Sequence, residues 1–349
     1  MFVVIHLMLK RRLIMSIFKQ TLLAATLCGV FGVAAAAPEG GSSQTDIYKK
    51  PTVVKPGESD SQPFGEGKAG LAFSTDNGHS WSNSINLEDG PVKHIGIKYN
   101  IKYKQGTQKV PINGNDPYAN VDGTRNPKHL RLGDVKPVVG WFYNPKLGQV
   151  WYENRHNNTE VYSVRQITEP KLPFAPKFGG LVIAKVPGMG GSDGNVFFGE
   201  WAPRKGNPPD NSTDLNMADG KRTVWFVGDN PTKNLGNLQI ASADYHVVGI
   251  NKHTPGKNDF YTGQVKAEFG SKGVMSGSIS RGDDKLSFDH TKINLKEGTF
   301  SSKNSANKEG IEGRFYGADA AALAGYATRG NGVGDDVAFG GKRFSSTPK

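Results

Sequence analysis

Four places in the chain carry residue types whose spacing could do chemistry. Gly190-Gly191-Ser192-Asp193-Gly194 fits G-x-S-x-G. A serine nucleophile in that pattern needs a strand–turn–helix elbow to lift its hydroxyl. Here GGLVIAKV precedes and NVFFGEWA follows, both strand-like, so the segment reads as a glycine-rich hairpin turn. Gly65-Glu66-Gly67-Lys68-Ala69-Gly70 fits G-x-G-x-x-G, but no strand leads into it and no βαβ unit surrounds it, so it builds no dinucleotide site. Asp283-Asp284 is a paired acid at a hairpin turn, where adjacent carboxylates serve as solvated turn formers. Cys28 is the chain's one cysteine and lies in an N-terminal apolar stretch. Once that stretch is removed, disulfides, thiolate-held zinc, iron–sulfur clusters and thiol catalysis are excluded. There is no Walker A motif, no H-E-x-x-H and no EF-hand loop. No acid/base pair or nucleophile set emerges, and the chain reads as a non-enzyme.

The elements that could position a binding group follow from composition. Among 349 residues, 45 are Gly and 20 are Pro; 10% are aromatic and 36% hydrophobic. Abundant Gly with aromatics, and no long Leu/Ala/Glu runs, predicts many short strands joined by tight turns. The same balance disfavours a helical bundle, a coiled coil and a polytopic membrane protein. The aromatic share argues against a disordered chain.

Residues 16–37 read SIFKQTLLAATLCGVFGVAAAA. Lys19 supplies a positive start, Thr21 to Val33 an apolar core, and Ala34-Ala35-Ala36 a small-residue cleavage site, which predicts a signal peptide over 1–36. Met15 sits where such a peptide would begin. The apolar run is short for a membrane span, so no stable span is expected after cleavage. Bulky Leu27 directly before Cys28 is a poor lipidation signal. A secreted, extracellular product is therefore the expectation, with a cell-surface lipoprotein anchored through Cys28 as the alternative. Removing 1–36 takes away Lys10, Arg11, Arg12 and Lys19 and no acid, so the formal charge falls from +11 to +7. No Arg/Lys cluster is set in a nucleic-acid-binding motif, and nucleic acid is not an expected partner.

Residues 37–66 are Pro/Gly/Ser-rich without periodicity and read as a flexible linker. Residues 67–200 read as a β-rich domain. Within it, Ile95, Ile97, Tyr99, Ile101 and Tyr103 alternate as one face of a strand over 92–104, with His94, Lys98 and Lys102 opposite. VVGWFYNPKLGQVWYENR predicts a hairpin around Asn144-Pro145-Lys146-Leu147-Gly148. The segment 203–222 is polar and turn-rich, a long loop. Beyond it TVWFVGD, ASADYHVVGI, DFYTGQVKAEF, GVMSGSIS, KLSFDHTKINL, GTFSSK, IEGRFYG and DVAFGG come at short, regular intervals. Eight such strands predict a closed antiparallel barrel over 221–349, since closure removes exposed strand edges. ADAAALAG at 318–325 is the one helical hint. The predicted fold class is all-β: an N-terminal β-rich handle or clamp domain, then a C-terminal eight-stranded antiparallel barrel.

The C-terminal third resembles the barrel of the transferrin-binding-protein B family. The residues that carry the resemblance are VWFVGDNPTKN (224–234), ADYHVVGIN (243–251), GKNDFYTGQVKAEFG (256–270), SGSI (276–279) and LSFDHTKIN (286–294). The most specific part is GIEGRFYGADAAALAGYATRG (310–330) closing on VAFGGKR (337–343). With one handle and one barrel, the layout is similar to the smaller secreted members of this group, the hemophilin-type hemophores, cargo of the surface lipoprotein assembly modulator (Slam). The resemblance implies a handle that binds ligand and a barrel that carries export recognition. It implies a secreted haem-binding protein for bacterial iron acquisition, with a Slam-type outer-membrane translocon and a TonB-dependent haem receptor as partners. The alternative is a non-catalytic module that binds a host protein, a metal carrier or an immune factor.

Haem would require an axial ligand, here histidine, and apolar walls. His156 lies near Trp151, Tyr152 and Arg155 and just before an Asn157-Asn158 turn. His129 follows Asn126-Pro127 on a loop beside Arg131, His79 stands at an Asn77-Gly78 turn before Trp81, and His94 opens the predicted strand on its polar face. These four are the candidate ligands, His156 and His129 foremost as metal ligands. Trp141, Tyr143, Trp151 and Tyr152 are the candidate walls. His246, His253 and His290 fall in the barrel region; His290 shares parity with Leu286 and Phe288 and is expected to be a packed or rim residue.

Overall fold

The computed structural model describes residues 36–43, 53–62, 64–74, 76–98, 100–103, 106–109, 129–135, 144–168, 178–206, 208–209, 212–270, 273–304, 309–330 and 334–349. Ala37–Lys349 forms one compact unit. Strands run in chain order β1 (Glu39–Ser42), β2 (Val54–Glu58), β3 (Ala69–Phe73), β4 (Ile85–Asn86), β5 (Asn100–Tyr103) and β6 (Gly106–Lys109). Then come β7 (His129–Arg131), β8 (Lys146–Asn154), β9 (Glu160–Gln166), β10 (Gly180–Lys185), β11 (Val196–Ala202) and β12 (Thr223–Gly228). The last group is β13 (Ile240–Ile250), β14 (Tyr261–Glu268), β15 (Val274–Arg281), β16 (Asp284–Ser287), β17 (Thr291–Asn294), β18 (Thr299–Asn304), β19 (Glu309–Tyr316), β20 (Ala322–Arg329) and β21 (Val337–Pro348).

The fold class is all-β, as the sequence predicts. Eight strands, β13-β14-β15-β17-β18-β19-β20-β21, close into an antiparallel barrel, with β16 added beside β15. Inward positions alternate with outward ones along each strand. Tyr245 and Val247 of β13, Leu323 of β20 and Phe339 of β21 point in. They pack with Phe269, Phe288, Phe300 and Phe315; the Phe315 ring lies 5.2 Å from that of Phe300 and 5.3 Å from that of Phe269. Side chains fill this interior, and burying one such phenylalanine contributes about 1.5–3 kcal/mol.

The second layer is a seven-stranded antiparallel sheet, β1-β12-β11-β10-β9-β8-β7. One face lies on the outer wall of the barrel. Phe198, Phe226 and Val186 meet Ala322, Ala324, Tyr326, Ala338, Val248 and Ile250 in one continuous core. The other face is covered by the β2-β3-β4 sheet, where the Phe73 ring stacks on Trp201 at 5.8 Å. Strands β10, β11 and β12 are thus buried on both faces, which explains their unbroken apolar runs. Gly340 sits where barrel and sheet come closest: a Cβ there would lie 2.4 Å from Cδ1 of Phe198.

Several sequence expectations are corrected. TVWFVGD forms β12, inside the seven-stranded sheet rather than the barrel, while KLSFDHTKINL supplies two short strands, β16 and β17. ADAAALAG holds a single 3-10 turn at Ala318–Ala320, and its remainder from Ala322 on is strand β20. The predicted linker contains two strands: β1 pairs with β12, and β2 pairs with β3. The strand predicted over 92–104 begins as helix. Glu88–Val92 and Lys93–Lys98 are helical, and only Asn100–Tyr103 is extended. Strand β8 pairs with β7 and β9, and the upstream half of its predicted hairpin, 136–143, lies outside the described residues. The turn at 190–194 does join two strands, β10 and β11, as read.

Candidate functional site

The candidate residues on β8 stand on opposite faces, because successive side chains alternate across a strand. Trp151 is fully buried on the barrel-side face, with the Arg165 guanidinium 5.9 Å from its ring centroid. Its indole Nε1 has no hydrogen-bond partner among the described residues. Tyr152 is buried on the other face, 5.3 Å from the ring of Tyr162. Its hydroxyl donates to Glu160 Oε1 at 2.8 Å; burial first, then the Glu160 carboxylate, push its ionisation well above the ordinary tyrosine range. The two rings therefore cannot wall one porphyrin together.

His156 follows in the tight turn between β8 and β9, where Asn157 and Asn158 both take positive φ, as an Asn-Asn turn allows. Its Nε2 lies 2.8 Å from Asn258 Oδ1, and its ring meets Phe260 edge-on at 6.3 Å. In this state it is a contact between turns. His129 sits on the outermost strand β7, opposite Gln149 of β8. At ~3.3 Å per residue, that register puts it on the order of 20 Å from His156 along β8, so the two foremost metal candidates do not converge. His94 is on the short helix, half-buried, its ring 5.4 Å from Phe64. His79 is exposed on the β3–β4 loop, beside Trp81, which is 38% exposed. Trp141 and Tyr143 lie outside the described residues.

The His79 loop is tightly organised. Asp76 accepts from the Ser74 hydroxyl at 2.7 Å and the Ser80 amide at 2.9 Å, and also from the Ser80 hydroxyl. These bonds, the Ser80 hydroxyl foremost, hold the Asp76 carboxyl far below its usual range. Gly78 N donates to Ser74 Oγ at 2.7 Å. Phe73 and Ser82 close the loop base, with Ser82 N on Phe73 O at 2.9 Å.

What sequence reasoning passed over is His253, in the β13–β14 loop. It is buried where that loop meets the sheet. Nε2 lies 2.8 Å from Glu153 Oε2 of β8, and Nδ1 lies 2.6 Å from Asp259 Oδ1. Burial pushes the imidazole pKa down, but the hydrogen bonds to Asp259 and Glu153 outweigh it and raise it to about 9. The ring is an imidazolium at neutral pH, with both nitrogens donating. No nitrogen is left for base catalysis or metal ligation. Beside it Glu200 of β11, fully buried, accepts from Arg222 Nε at 2.8 Å and from the amides of Lys252 at 2.9 Å and His253 at 2.6 Å. Gly256 N donates to Glu153 Oε1 at 2.9 Å. This charged cluster ties the barrel loop to two strands of the sheet. The signal in the sequence was only His253 and Asp259 six residues apart; Glu153 and Glu200 are brought in by the fold.

Among the described residues no group of three or more His, Cys, Asp or Glu is placed to hold a metal ion. No helix among them is long and apolar enough to cross a membrane.

No protein-family model matches the chain. Among solved structures, it is similar to HpuA from Kingella denitrificans in complex with human haemoglobin, at 12% identity and a TM-score of 0.31, covering 58% of this chain and 88% of that one. It is similar to transferrin binding protein B (TbpB) from serogroup B Neisseria meningitidis, at 13% identity and a TM-score of 0.30, covering 84% of this chain and 44% of that one. A TbpB double mutant from Haemophilus parasuis Hp5 matches at 12% identity and a TM-score of 0.32, covering 90% of this chain and 60% of that one. The chain thus spans less than two thirds of either TbpB.

Proposed function

We propose that this chain is a non-catalytic capture protein of bacterial iron acquisition, working outside the cell and taking its iron from a host protein. The observation that carries the reading is the barrel. The residues that resemble the transferrin-binding-protein B family, from ADYHVVGIN at 243–251 to VAFGGKR at 337–343, are the ones that build its closed wall. HpuA is a haemoglobin receptor and TbpB a transferrin-binding protein, and an iron-carrying host protein is the ligand class we assign here. Export as a secreted or lipid-anchored protein through a Slam-type translocon, and transfer to a TonB-dependent receptor, belong to the same reading.

A second reading, direct haem capture, is favoured by His79. Its imidazole is exposed and has no bonded partner among the described residues, and Trp81 beside it offers an aromatic face.

The test is titration of Ala37–Lys349 with human haemoglobin, human transferrin and free hemin, by interferometry and visible absorption. Saturable binding of either carrier protein supports the first reading. A sharp Soret band at one equivalent, lost in His79→Ala and kept in His156→Ala, supports the second. Failure of all three ligands refutes both.

A further inference from the structure

The C-terminal end of β21 outruns its neighbour. Pairing with β20 stops at Ala322↔Lys342, and the bond from Arg343 N to Ala321 O, 3.0 Å, is the final one on that side. Residues 343–348 pair with β13 alone, out to Ile240↔Pro348. The ribbon therefore presents an open strand edge on an otherwise closed barrel, and Phe344 to Pro348 are exposed. Such an edge is a template for another strand.

Three further features mark it. The register slips between Asp244 and Tyr245, whose partners are Ser345 and Arg343, so Phe344 is the extra residue of a β-bulge. A bulge re-aims its side chain. Phe344 is turned onto His246, with ring centroids 3.9 Å apart and planes at 20°, yet stays 48% exposed. Second, Phe344 and Trp81 are the two large hydrophobic side chains exposed among the described residues. Third, Lys342, Arg343 and Lys349 have no carboxylate at ion-pair distance among the described residues. Lys342 Nζ reaches Gly188 O at 3.3 Å, Lys349 Nζ reaches Gly236 O at 2.5 Å, and Arg343 Nη1 donates to Asp319 O. Carbonyls hold these cations without neutralising them. The acidic side chain on the ribbon, Asp244, accepts from the Ser345 hydroxyl at 2.7 Å.

From this arrangement we infer that the open edge of β21 receives an extended acidic segment of another protein as an added strand. Backbone hydrogen bonds would give the pairing, Phe344 an apolar anchor, and the three cations the preference for carboxylates. Pro348, with no amide hydrogen, ends the usable edge. A second copy of this chain fits poorly. Antiparallel pairing about a two-fold at Ser346 would set Arg343 of each copy opposite Lys349 of the other, and like charges directly opposite repel. The inference stands on the barrel ribbon alone and does not depend on the ligand of the handle.

The probe is a fluorescein-labelled heptapeptide of alternating glutamate and valine, followed by anisotropy on Ala37–Lys349. Controls are a lysine–valine heptapeptide and a glutamate–valine one with proline at its centre. The glutamate–valine peptide is expected to bind saturably. Binding should weaken at least tenfold with Phe344→Ala and with the double variant Arg343→Gln/Lys349→Gln, while their melting temperatures stay within a degree or two of wild type. The lysine and proline peptides should not bind. The inference is overturned if no peptide binds, if either control binds as well as the glutamate–valine peptide, or if folded variants bind like wild type. A dimer in sedimentation that Phe344→Ala abolishes would overturn it in favour of a second copy.

Discussion

The His253 cluster makes a quantitative claim about stability against pH. The imidazole pKa is raised from an ordinary 6.5 to about 9 in the folded chain. A raised folded pKa stabilises the fold fully below the unfolded value, and that contribution is lost as pH rises through the folded value. With one pKa unit equal to about 1.36 kcal/mol, the contribution is about 3 kcal/mol at pH 6, about 2 kcal/mol at pH 7.5 and under about 1 kcal/mol at pH 9. His253 and Glu153 are buried, while the Asp259 side chain keeps 22% exposure, so solvent screening reduces its share of these values. His253→Gln leaves Glu153 and Asp259 without the cation between them, and breaking a buried pair in this way costs about 3–5 kcal/mol. The assay is urea unfolding of Ala37–Lys349 and of the variant from pH 6 to 10. Lysines, tyrosines and the terminus titrate in both proteins, so their effects cancel in the difference. That difference should shrink by about 3 kcal/mol between pH 6 and pH 10. A difference that is flat, or that grows with pH, refutes the protonated bridge between β8 and the β13–β14 loop.

Two other predictions concern the seam and the first strand. Gly340→Val should cost about 1–3 kcal/mol in urea unfolding, since its Cβ would lie 2.4 Å from Phe198 Cδ1 and 3.0 Å from Val186 Cγ2; a neutral result would mean that sheet and barrel are less tightly seated. Deleting Glu39–Ser42 removes β1, the bond from Tyr316 Oη to Glu39 O at 2.8 Å and the Arg314–Glu39 ion pair, and should lower the melting temperature by several degrees. An unchanged melting curve would return this segment to the role of a linker.

Much of the architecture was legible because alternation and turn chemistry are local. The barrel strands read correctly wherever one face meets solvent, as in β14, where buried Val265 and Ala267 alternate with exposed or half-buried Gln264, Lys266 and Glu268. Legibility failed where an element is buried on both faces. Strand β12 sends Val224 and Phe226 to the barrel side and Trp225 and Val227 to the other, so no period reveals which sheet it joins. The alanines of β20 looked helical, yet Ala322 and Ala324 are small because the sheet packs against them, and Ala327 faces the barrel core. Gly40 in β1 looked like a linker residue. In fact a Cβ there would lie 2.2 Å from Phe226 O, so glycine marks close packing rather than freedom. Around residue 95 two periods overlap: Ile95 begins the strand-like alternation, but it also stands three residues after Val92, and both are buried on one helical face. The Lys185–Glu88 ion pair at 2.7 Å, which no local window contains, holds the start of that helical segment to the sheet.

The histidines show the same limit from the side of function. Neighbours in sequence, Trp151 and Tyr152, are separated by the pleat, and His156 is drawn to Asn258 by a loop a hundred residues away. The residue with the most perturbed imidazole, His253, was unremarkable in sequence because its meaning lies in Glu153, which only the docking of sheet on barrel brings to it. A buried, doubly hydrogen-bonded imidazolium is a structural element, whereas ligand capture needs groups that fold without partners. By that criterion the two proposed binding surfaces are the Asp76-braced loop carrying His79 and Trp81, and the open edge of β21 carrying Phe344. The two are separable by mutation. Loss of carrier or haem binding in His79→Ala with peptide binding intact, and the reverse in Phe344→Ala, would establish two independent surfaces on one scaffold.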